Sequence, residues 1–180
     1  MQHDYTFKII FGGDGGVGKT TLLHRYIKGE FLVSTLMTIG VDIHNKQLDL
    51  DNGKTVALQL WDFGGQERFR FMQDGFVLGA NGAFLMFDLT KYLSFENLPK
   101  WLGIFRKYDQ TVPIVLLGGK ADLDENIIID DEMPREFVRE HNLKDYLKTS
   151  SKTGLNIETA FKTLVDHIIK SKGLDGEVIF

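Results

Sequence analysis

One segment near the N-terminus combines closely spaced glycines with a lysine and a threonine. It matches the pattern G-x-x-x-x-G-K-[ST], and we call it the phosphate loop: Gly13, Asp14, Gly15, Gly16, Val17, Gly18, Lys19 and Thr20, followed by Thr21. Glycines let backbone N–H groups approach phosphate oxygens, and a helix that begins near Gly18 directs its positive end at the same anion. Lys19 can then reach the β- and γ-phosphates, and the Thr20 hydroxyl can be a ligand of Mg²⁺. The segment predicts a nucleotide site; the alternative is a glycine-rich turn without a ligand.

A second set of residues would contact the terminal phosphate. Asp62 follows an apolar run and suits a carboxylate that holds Mg²⁺ through water. Gly65 can bring its N–H to the γ-phosphate, and Gln66 is placed to orient an attacking water. Thr38 lies in residues 31–39, which show little periodicity, and a lone threonine in a loop is often only a solvated turn residue. Its place between the phosphate loop and Asp62 makes it a candidate ligand of Mg²⁺ and a catalytic residue beside Lys19.

Strand and helix signals alternate along the whole chain. Strands are predicted at 5–11, 41–50, 54–61, 82–87 and 113–117, and Asp51-Asn52-Gly53 is typical of a hairpin turn. Apolar residues recur at helical spacing between the later strands. The pattern predicts an α/β fold. We expect one strand more than these five, and so a doubly wound, mostly parallel six-stranded sheet with helices on both faces and one antiparallel hairpin at an edge.

Length and composition exclude several classes of protein. The chain has 180 residues, a net charge of −4 and no cysteine. We expect a single domain over residues 1–180, with a core at 5–172 and a short tail at 173–180. Because it has no long basic tract, no membrane-spanning run and no cysteine for lipidation, we expect no nucleic-acid partner and no transmembrane anchor. A monomer in the cytoplasm is the expectation, with peripheral membrane association only through partners.

The chain resembles the small GTPases of the Ras superfamily over about residues 5–172, and the Rab branch in particular. The segments that carry the resemblance are the phosphate loop, Thr-Ile-Gly-Val-Asp at 38–42, Trp-Asp-x-x-Gly-Gln-Glu-Arg-Phe-Arg at 61–70, Ser-Phe-Glu-Asn-Leu at 94–98 and Trp-Leu at 101–102. The resemblance implies a GTP/GDP switch with Mg²⁺ and slow hydrolysis. It also implies effector, exchange and GTPase-activating proteins that bind residues 31–43 and 61–76.

The resemblance also implies where guanine would bind. Lys120 would lie along the base plane, and Asp122 would accept hydrogen bonds from the ring N–H and the exocyclic amine. The Phe31 ring would pack against the guanine edge. Ser150, Ser151 and Lys152 resemble the family's Ser-Ala-Lys segment, in which the backbone N–H at the Ser151 position would bond the guanine oxygen.

Two positions depart from the family pattern. Gly119 stands where the family has an asparagine that helps bind the base and ties its loop to the phosphate loop, so Gly119→Asn is expected to slow GDP release. Phe63 and Gly64 replace the usual Thr-Ala.

A further set of residues concerns partners. Ile43, Trp61 and Phe76 fall where Rab proteins present an apolar triad to effectors; the alternative is that these side chains belong to the core.

Some of these residues also fit other classes of protein. Asp62-Phe63-Gly64 is also the magnesium motif of protein kinases, but the chain has no His-Arg-Asp loop. Asp122 disfavours an ATPase or a small-molecule kinase. A module that binds guanine nucleotide with little or no hydrolysis remains open because of Gly119 and Phe63-Gly64, although Thr38, Gly65 and Gln66 favour hydrolysis.

Overall fold

In the computed structural model, which describes residues 3–33, 38–63 and 75–179, seven strands form one mixed sheet. The strands are β1 (Tyr5–Gly12), β2 (Val41–Leu50), β3 (Thr55–Phe63), β4 (Gly82–Asp88), β5 (Ile114–Gly119), β6 (Asp145–Lys148) and β7 (Val178–Ile179). Their order is β6-β5-β4-β1-β3-β2-β7. Strands β3, β1, β4, β5 and β6 pair in parallel, whereas β2 pairs antiparallel with β3 and with β7. The predicted doubly wound α/β class is confirmed.

Helices cover both faces of this sheet. They are α1 (Lys19–Lys28), α2 (Tyr92–Glu96), α3 (Leu98–Phe105), α4 (Glu132–Glu140) and α5 (Ile157–Ser171). Side chains alternate across a strand, so Ile9 and Phe11 of β1 belong to a core cluster that includes residues of α1 and α5, while Ile10 belongs to a second core cluster that includes residues of α3 and α4. All residues of β4 and β5 are buried because both faces are covered, which is why their sequences are continuous apolar runs. None of the helices in the described part of the chain is long and apolar enough to cross a membrane.

The hairpin forms at the predicted turn, but its outer strand is not the edge of the sheet. Gly53 has a φ of 78°, and Leu50 N donates to Lys54 O at 2.8 Å. Residues of the expected tail form β7, which pairs with β2 at Asp49 and Leu50 and buries Val178. The described sheet therefore has seven strands instead of six. A two-residue strand is too short to show alternation in sequence, and its position depends on tertiary contacts with β2 and with Lys162 and Asp166 of α5.

The structure also shows where two of the helical regions begin and end. At the start of α4 the Asp130 carboxylate accepts from the backbone N–H of Glu132 at 3.0 Å and of Met133 at 3.1 Å, so Asp130 satisfies donors of the first turn. The apolar spacing before β5 predicted helix, and this region forms α2 and α3 in succession. They meet at Asn97, with a proline in the first turn of α3.

Candidate nucleotide-binding site

The carboxyl ends of four parallel strands meet at one edge of the sheet. Phe11 of β1 is in register with Asp62 of β3, Gly12 with Leu85 of β4, and Asp88 of β4 with Gly119 of β5. The phosphate loop, Asp62 and the segment that begins at Gly119 therefore emerge side by side. Ligands of doubly wound folds bind at this edge, and the candidate residues from distant parts of the sequence converge there.

The phosphate loop needs glycine at its first position for a steric reason. Gly13 has a φ of 142°, and a Cβ built on it would lie 2.1 Å from the backbone oxygen of Met86. Gly18 adopts a left-handed conformation and precedes α1, which begins at Lys19 as the sequence predicted. The unpaired N–H groups of the first turn of α1 therefore face the same space as the loop, which is favourable for an anion.

Lys19 lies inside the loop. Its side chain is only 5% exposed, and Nζ donates to the backbone oxygens of Gly13 at 2.6 Å and Asp14 at 3.0 Å. Burial lowers the pKa of Lys19 to about 8, while the charges of Asp62 and Asp14 act in the opposite direction. A nearby anion, such as a phosphate oxygen, strongly stabilises the charged form of a buried ammonium group of this kind.

Three oxygen-bearing side chains meet next to Lys19. The Oγ1 atoms of Thr20 and Thr38 lie 2.7 Å apart, and Thr20 Oγ1 donates to Asp62 Oδ2. Asp62 is fully buried, and its Oδ1 has no hydrogen-bond partner among the described residues. Burial raises the pKa of Asp62, although the hydrogen bond from Thr20 and the charge of Lys19 oppose this.

These residues fit a hard cation. Hydroxyl and carboxylate oxygens are the ligands that Mg²⁺ takes, and an unpartnered buried carboxylate oxygen is costly unless something pairs with it. In the part of the chain that the structure describes, no three His, Cys, Asp or Glu side chains cluster as a metal site. The two threonines with Asp62 are therefore the candidate metal centre.

Asp14 faces away from the centre of the loop. Its Oδ1 accepts from Trp101 Nε1 at 2.9 Å and its Oδ2 from Asn97 Nδ2 at 2.6 Å. The carboxylate thus ties the phosphate loop to α2 and α3. The phosphate-loop motif predicted Asp14 as a nucleotide contact, and no such function was predicted for Asn97 or Trp101. A buried indole N–H requires an acceptor, but the sequence does not show which one.

A cavity of about 350 Å³ lies beside the phosphate loop. The predicted binding residues that line it are Val17, Gly18, Thr21, Phe31, Lys120, Asp122, Ser151 and Lys152. Leu32, Val33, Met86 and Leu123 also line it and were not predicted. This cavity can accept a planar base between mostly apolar walls, with polar groups at Lys120 and Asp122.

Two charged residues at the cavity are held by specific partners. Asp122 Oδ1 accepts from Ser150 Oγ at 2.6 Å, so the buried Ser150 orients the carboxylate. Lys120 Nζ pairs with Asp88 Oδ2 at 2.7 Å. Although burial alone would raise the pKa of Asp88, hydrogen bonds from Lys120 and Thr90 hold it below its ordinary value. Asp88 was not predicted as a residue of the site. The feature that could have indicated it is an acidic residue at the end of a buried apolar strand.

The remaining candidate residues are placed as follows. Gly15 and Gly16 are exposed at the tip of the phosphate loop. Gly65 and Gln66, the predicted γ-phosphate contact and water-orienting residue, lie outside the described residues, as does Gly64. Phe63 is 1% exposed, and its ring centroid lies 6.1 Å from that of Phe76, so this departure from the family pattern adds to the core.

The residues of the proposed apolar triad lie next to one another but differ in how far their side chains are exposed. Ile43 pairs with Trp61 across β2 and β3, and Ile43 is 50% exposed. The Trp61 and Phe76 rings lie 5.8 Å apart and are partly buried against the core. Lys8 Nζ lies 4.0 Å from the centroid of the Trp61 ring. The three side chains are neither fully buried nor fully exposed.

The fold and the site together define a P-loop nucleotide-binding protein, and comparisons narrow this class. The family model described as "Ras family" matches residues 8–170. The Ras-related protein RABA4d of Arabidopsis thaliana is 42% identical over 168 residues, which cover 93% of this chain and 75% of the relative. The Ras-related protein YPTC6 of Chlamydomonas reinhardtii is 38% identical over 98% of this chain and 82% of the relative. RABA2b of Arabidopsis thaliana is 40% identical over 96% and 82%, respectively.

The chain therefore belongs to the Ras family and is a small GTPase of the Rab-like kind. It binds GTP and GDP, and its enzymatic activity is the hydrolysis of GTP. The resemblance to Rab-like small GTPases, which was inferred from the phosphate loop and the Rab-like segments, is confirmed.

Proposed function

We propose that this protein is a magnesium-dependent GTP/GDP switch whose hydrolysis is slow and whose partner affinity depends on residues 31–43 and 61–76. The observation that carries the proposal is the meeting of Thr20, Thr38 and the buried Asp62, with one carboxylate oxygen unpartnered among the described residues. This cluster joins the phosphate loop to two segments that follow it in the chain. A change at the terminal phosphate can therefore reach both segments.

The proposed reaction is in-line attack of water on the γ-phosphorus, which breaks its bond to the bridging oxygen. Lys19 and the N–H groups of the phosphate loop stabilise charge on the phosphate oxygens, and Gln66 orients the attacking water. Thr20 and Thr38 would hold Mg²⁺ directly and Asp62 would hold it through water, and the ion would supply positive charge that stabilises the charge developing on the phosphate oxygens.

The proposed switch follows from which contacts depend on the γ-phosphate. Thr38 and Gly65 would contact it in the GTP form and lose that contact after hydrolysis. Partners that recognise residues 31–43 and 61–76 would then distinguish the two forms. Similarity to Rab and Ypt proteins suggests a role in membrane trafficking, with a monomer that reaches membranes through its partners.

Nucleotide extracted from the purified protein tests the proposal. GDP is the expected result, because a working GTPase converts bound GTP during purification. Bound GTP would instead indicate a module that does not hydrolyse it, and a bound adenine nucleotide would contradict the base site. Chelation of Mg²⁺ with EDTA should accelerate release of the guanine nucleotide, since the metal centre holds the phosphates.

Gln66→Leu is expected to slow hydrolysis while GTP affinity remains nearly unchanged, because the leucine cannot orient water but removes no phosphate contact. The unmodified protein should hydrolyse GTP at about 10⁻⁴ to 10⁻³ per second, the range of Ras-type proteins without an activator. No arginine is present in residues 31–38 to accelerate it in cis. Single-turnover assays measure both rates. Hydrolysis by the unmodified protein above about 0.1 per second, or an unchanged rate in the variant, would contradict this assignment.

Trp61→Ala is expected to abolish binding of a GTP-selective partner while it lowers the free energy of unfolding by less than ~2 kcal/mol. The partly buried ring, beside the half-exposed Ile43, is the reason for this expectation. A partner identified by its retention on protein loaded with a GTP analogue would be titrated calorimetrically. Leu155→Ala, which truncates another exposed apolar residue, is the control. A loss above ~3 kcal/mol in urea unfolding would instead assign Trp61 to the core.

A further inference from the structure

The side chain of Met86, on β4, occupies the space next to Gly119 at the end of β5. A Cβ built on Gly119 would lie 2.5 Å from the Met86 methyl carbon, Cε, and 3.1 Å from the backbone oxygen of Val17. The first distance is shorter than real Cβ contacts show, so the Met86 methyl group, the free end of a flexible side chain, must move when residue 119 has a side chain. The volume that it occupies lies between the segment of residues 119–122, which we call the base loop, and the phosphate loop.

Met86 reaches both loops from the sheet. It belongs to β4, is 2% exposed, and lines the cavity beside the phosphate loop. Its Cε also lies 3.6 Å from a Cβ built on Gly18, an ordinary van der Waals distance. Methionine suits such a gap because its unbranched, flexible side chain adapts to irregular shapes. One thioether methyl group thus lies between a glycine of the phosphate loop and the glycine that begins the base loop.

The backbone of the base loop has its own attachments, and they do not depend on Met86. Gly119 O accepts from Leu89 N at 3.1 Å, and Ala121 N donates to Thr149 O at 3.0 Å. These bonds hold the loop to β4 and to the segment after β6. On the side that faces the phosphate loop, the atoms nearest to a Cβ built on Gly119 are the Met86 methyl carbon and the backbone oxygen of Val17.

We propose that Met86 is a positioning residue for the bound nucleotide: it sets the spacing between base loop and phosphate loop, and it does so only because residue 119 is glycine. This rests on the proposed guanine-nucleotide function. Met86 and Gly119 act as a matched pair, in which the methionine occupies the volume that a larger residue at 119 would need. Gly119→Asn alone therefore forces Met86 aside, and the expectation from sequence that this change slows GDP release is reversed.

The test is a double-mutant cycle on the rate at which a fluorescent GDP analogue is released when chased with excess GDP. Met86→Val and Gly119→Asn should each accelerate release about tenfold, the factor that corresponds to ~1.4 kcal/mol. Met86→Val does so because it withdraws the methyl group from both loops. The combination should release the analogue more slowly than either single variant, since the shortened side chain leaves room for the asparagine.

The decisive observation is therefore a change of sign: Gly119→Asn accelerates release in the unmodified background and slows it in the Met86→Val background. A purely structural role of Met86 in the core would give additive losses. Gly119→Asn slowing release by the same factor in both backgrounds, or no effect of Met86→Val, would overturn the proposal.

Matched controls separate this effect from general destabilisation. Met133→Val shortens a partly buried methionine of α4 in the other core cluster, and Gly103→Asn adds a side chain at an exposed glycine of α3 with open space around it. Neither should alter release by more than about twofold, and thermal unfolding with saturating GDP confirms that each variant is folded. If the unmodified protein retains no guanine nucleotide, the proposed function fails. If it retains guanine nucleotide and the cycle is additive, only the assignment of Met86 fails.

Discussion

Replacing Lys19 with methionine is expected to reduce the affinity for GDP and GTP by roughly a hundredfold to ten-thousandfold. The reason is the loss of two charge-assisted hydrogen bonds to phosphate oxygens, at about 1.5–3 kcal/mol each. Methionine has a similar length, so the volume inside the phosphate loop remains filled. Lys19 is only 5% exposed, so the cost of burying its charge opposes the gain from its bonds to Gly13 and Asp14. The free energy of unfolding should therefore change much less than the affinity.

Two measurements together identify this effect. Affinity is measured by fluorescence titration with a GDP analogue, and the free energy of unfolding is measured in urea without added nucleotide. Lys170→Met, which removes the charge of an exposed lysine on α5, is the control and should leave both unchanged. If Lys19→Met lowered stability as strongly as it lowered affinity, the lysine would be a structural residue of the loop, and the assignment of the phosphate site would be wrong.

Replacing Asp122 with asparagine should change the preferred base from guanine to xanthine. The carboxylate accepts from two donors on guanine, and an asparagine amide would face the exocyclic amine with its own donor. Loss of a hydrogen bond to a charged group, together with an unpaired donor, costs about 3 kcal/mol or more, which is about a hundredfold in affinity. Xanthine has a carbonyl oxygen where guanine has the amine, so the asparagine amide can donate to it.

The carboxylate is well placed for this change of specificity. Ser150 Oγ donates to Asp122 Oδ1 at 2.6 Å, and an asparagine side-chain oxygen can accept the same bond. The side chain should therefore keep its orientation, so that the substitution alters the chemistry of recognition more than its geometry. Lys120, which is paired with Asp88 at 2.7 Å, is not altered.

Competition between GDP and xanthosine diphosphate for the variant measures the change. Asp124→Asn, at an exposed position two residues further along the chain, is the matched control and should keep the guanine preference. If Asp122→Asn binds GDP within about threefold of the unmodified protein, the base does not contact residue 122, and the base site inferred from the resemblance is misplaced.

Several features of this protein were readable from the sequence because the residues that create them are neighbours in the chain. The phosphate loop is one, since its glycine spacing, lysine and threonine all lie within residues 13–20 and α1 begins as predicted. The hairpin turn at Asn52-Gly53 is another. The α/β class followed from alternating periodicities, each of which is a local pattern along one strand or helix.

The hydrogen-bond and ion-pair partners of the site residues depend on the tertiary structure. Asp14 pairs with Asn97 and Trp101, and Lys120 pairs with Asp88. Each pair joins segments that lie far apart in sequence and meet only because β1, β4 and β5 are adjacent in the sheet. Residue types can suggest that a buried lysine or indole requires a partner, but only the strand order selects which one.

Gly119 shows most clearly how the identity of a residue differs from its packing as a source of information. The order of residues in the chain establishes that the residue is glycine and that a side chain expected from the family is missing. Whether the missing side chain leaves a gap was a matter of packing, and the structure places the Met86 methyl group in that volume, 2.5 Å from where a Cβ would lie. Residues 86 and 119 compete for one space because β4 and β5 are parallel neighbours whose carboxyl ends face the phosphate loop. No pattern within either strand encodes that contact, since close packing depends on the shapes of all the side chains that share the space.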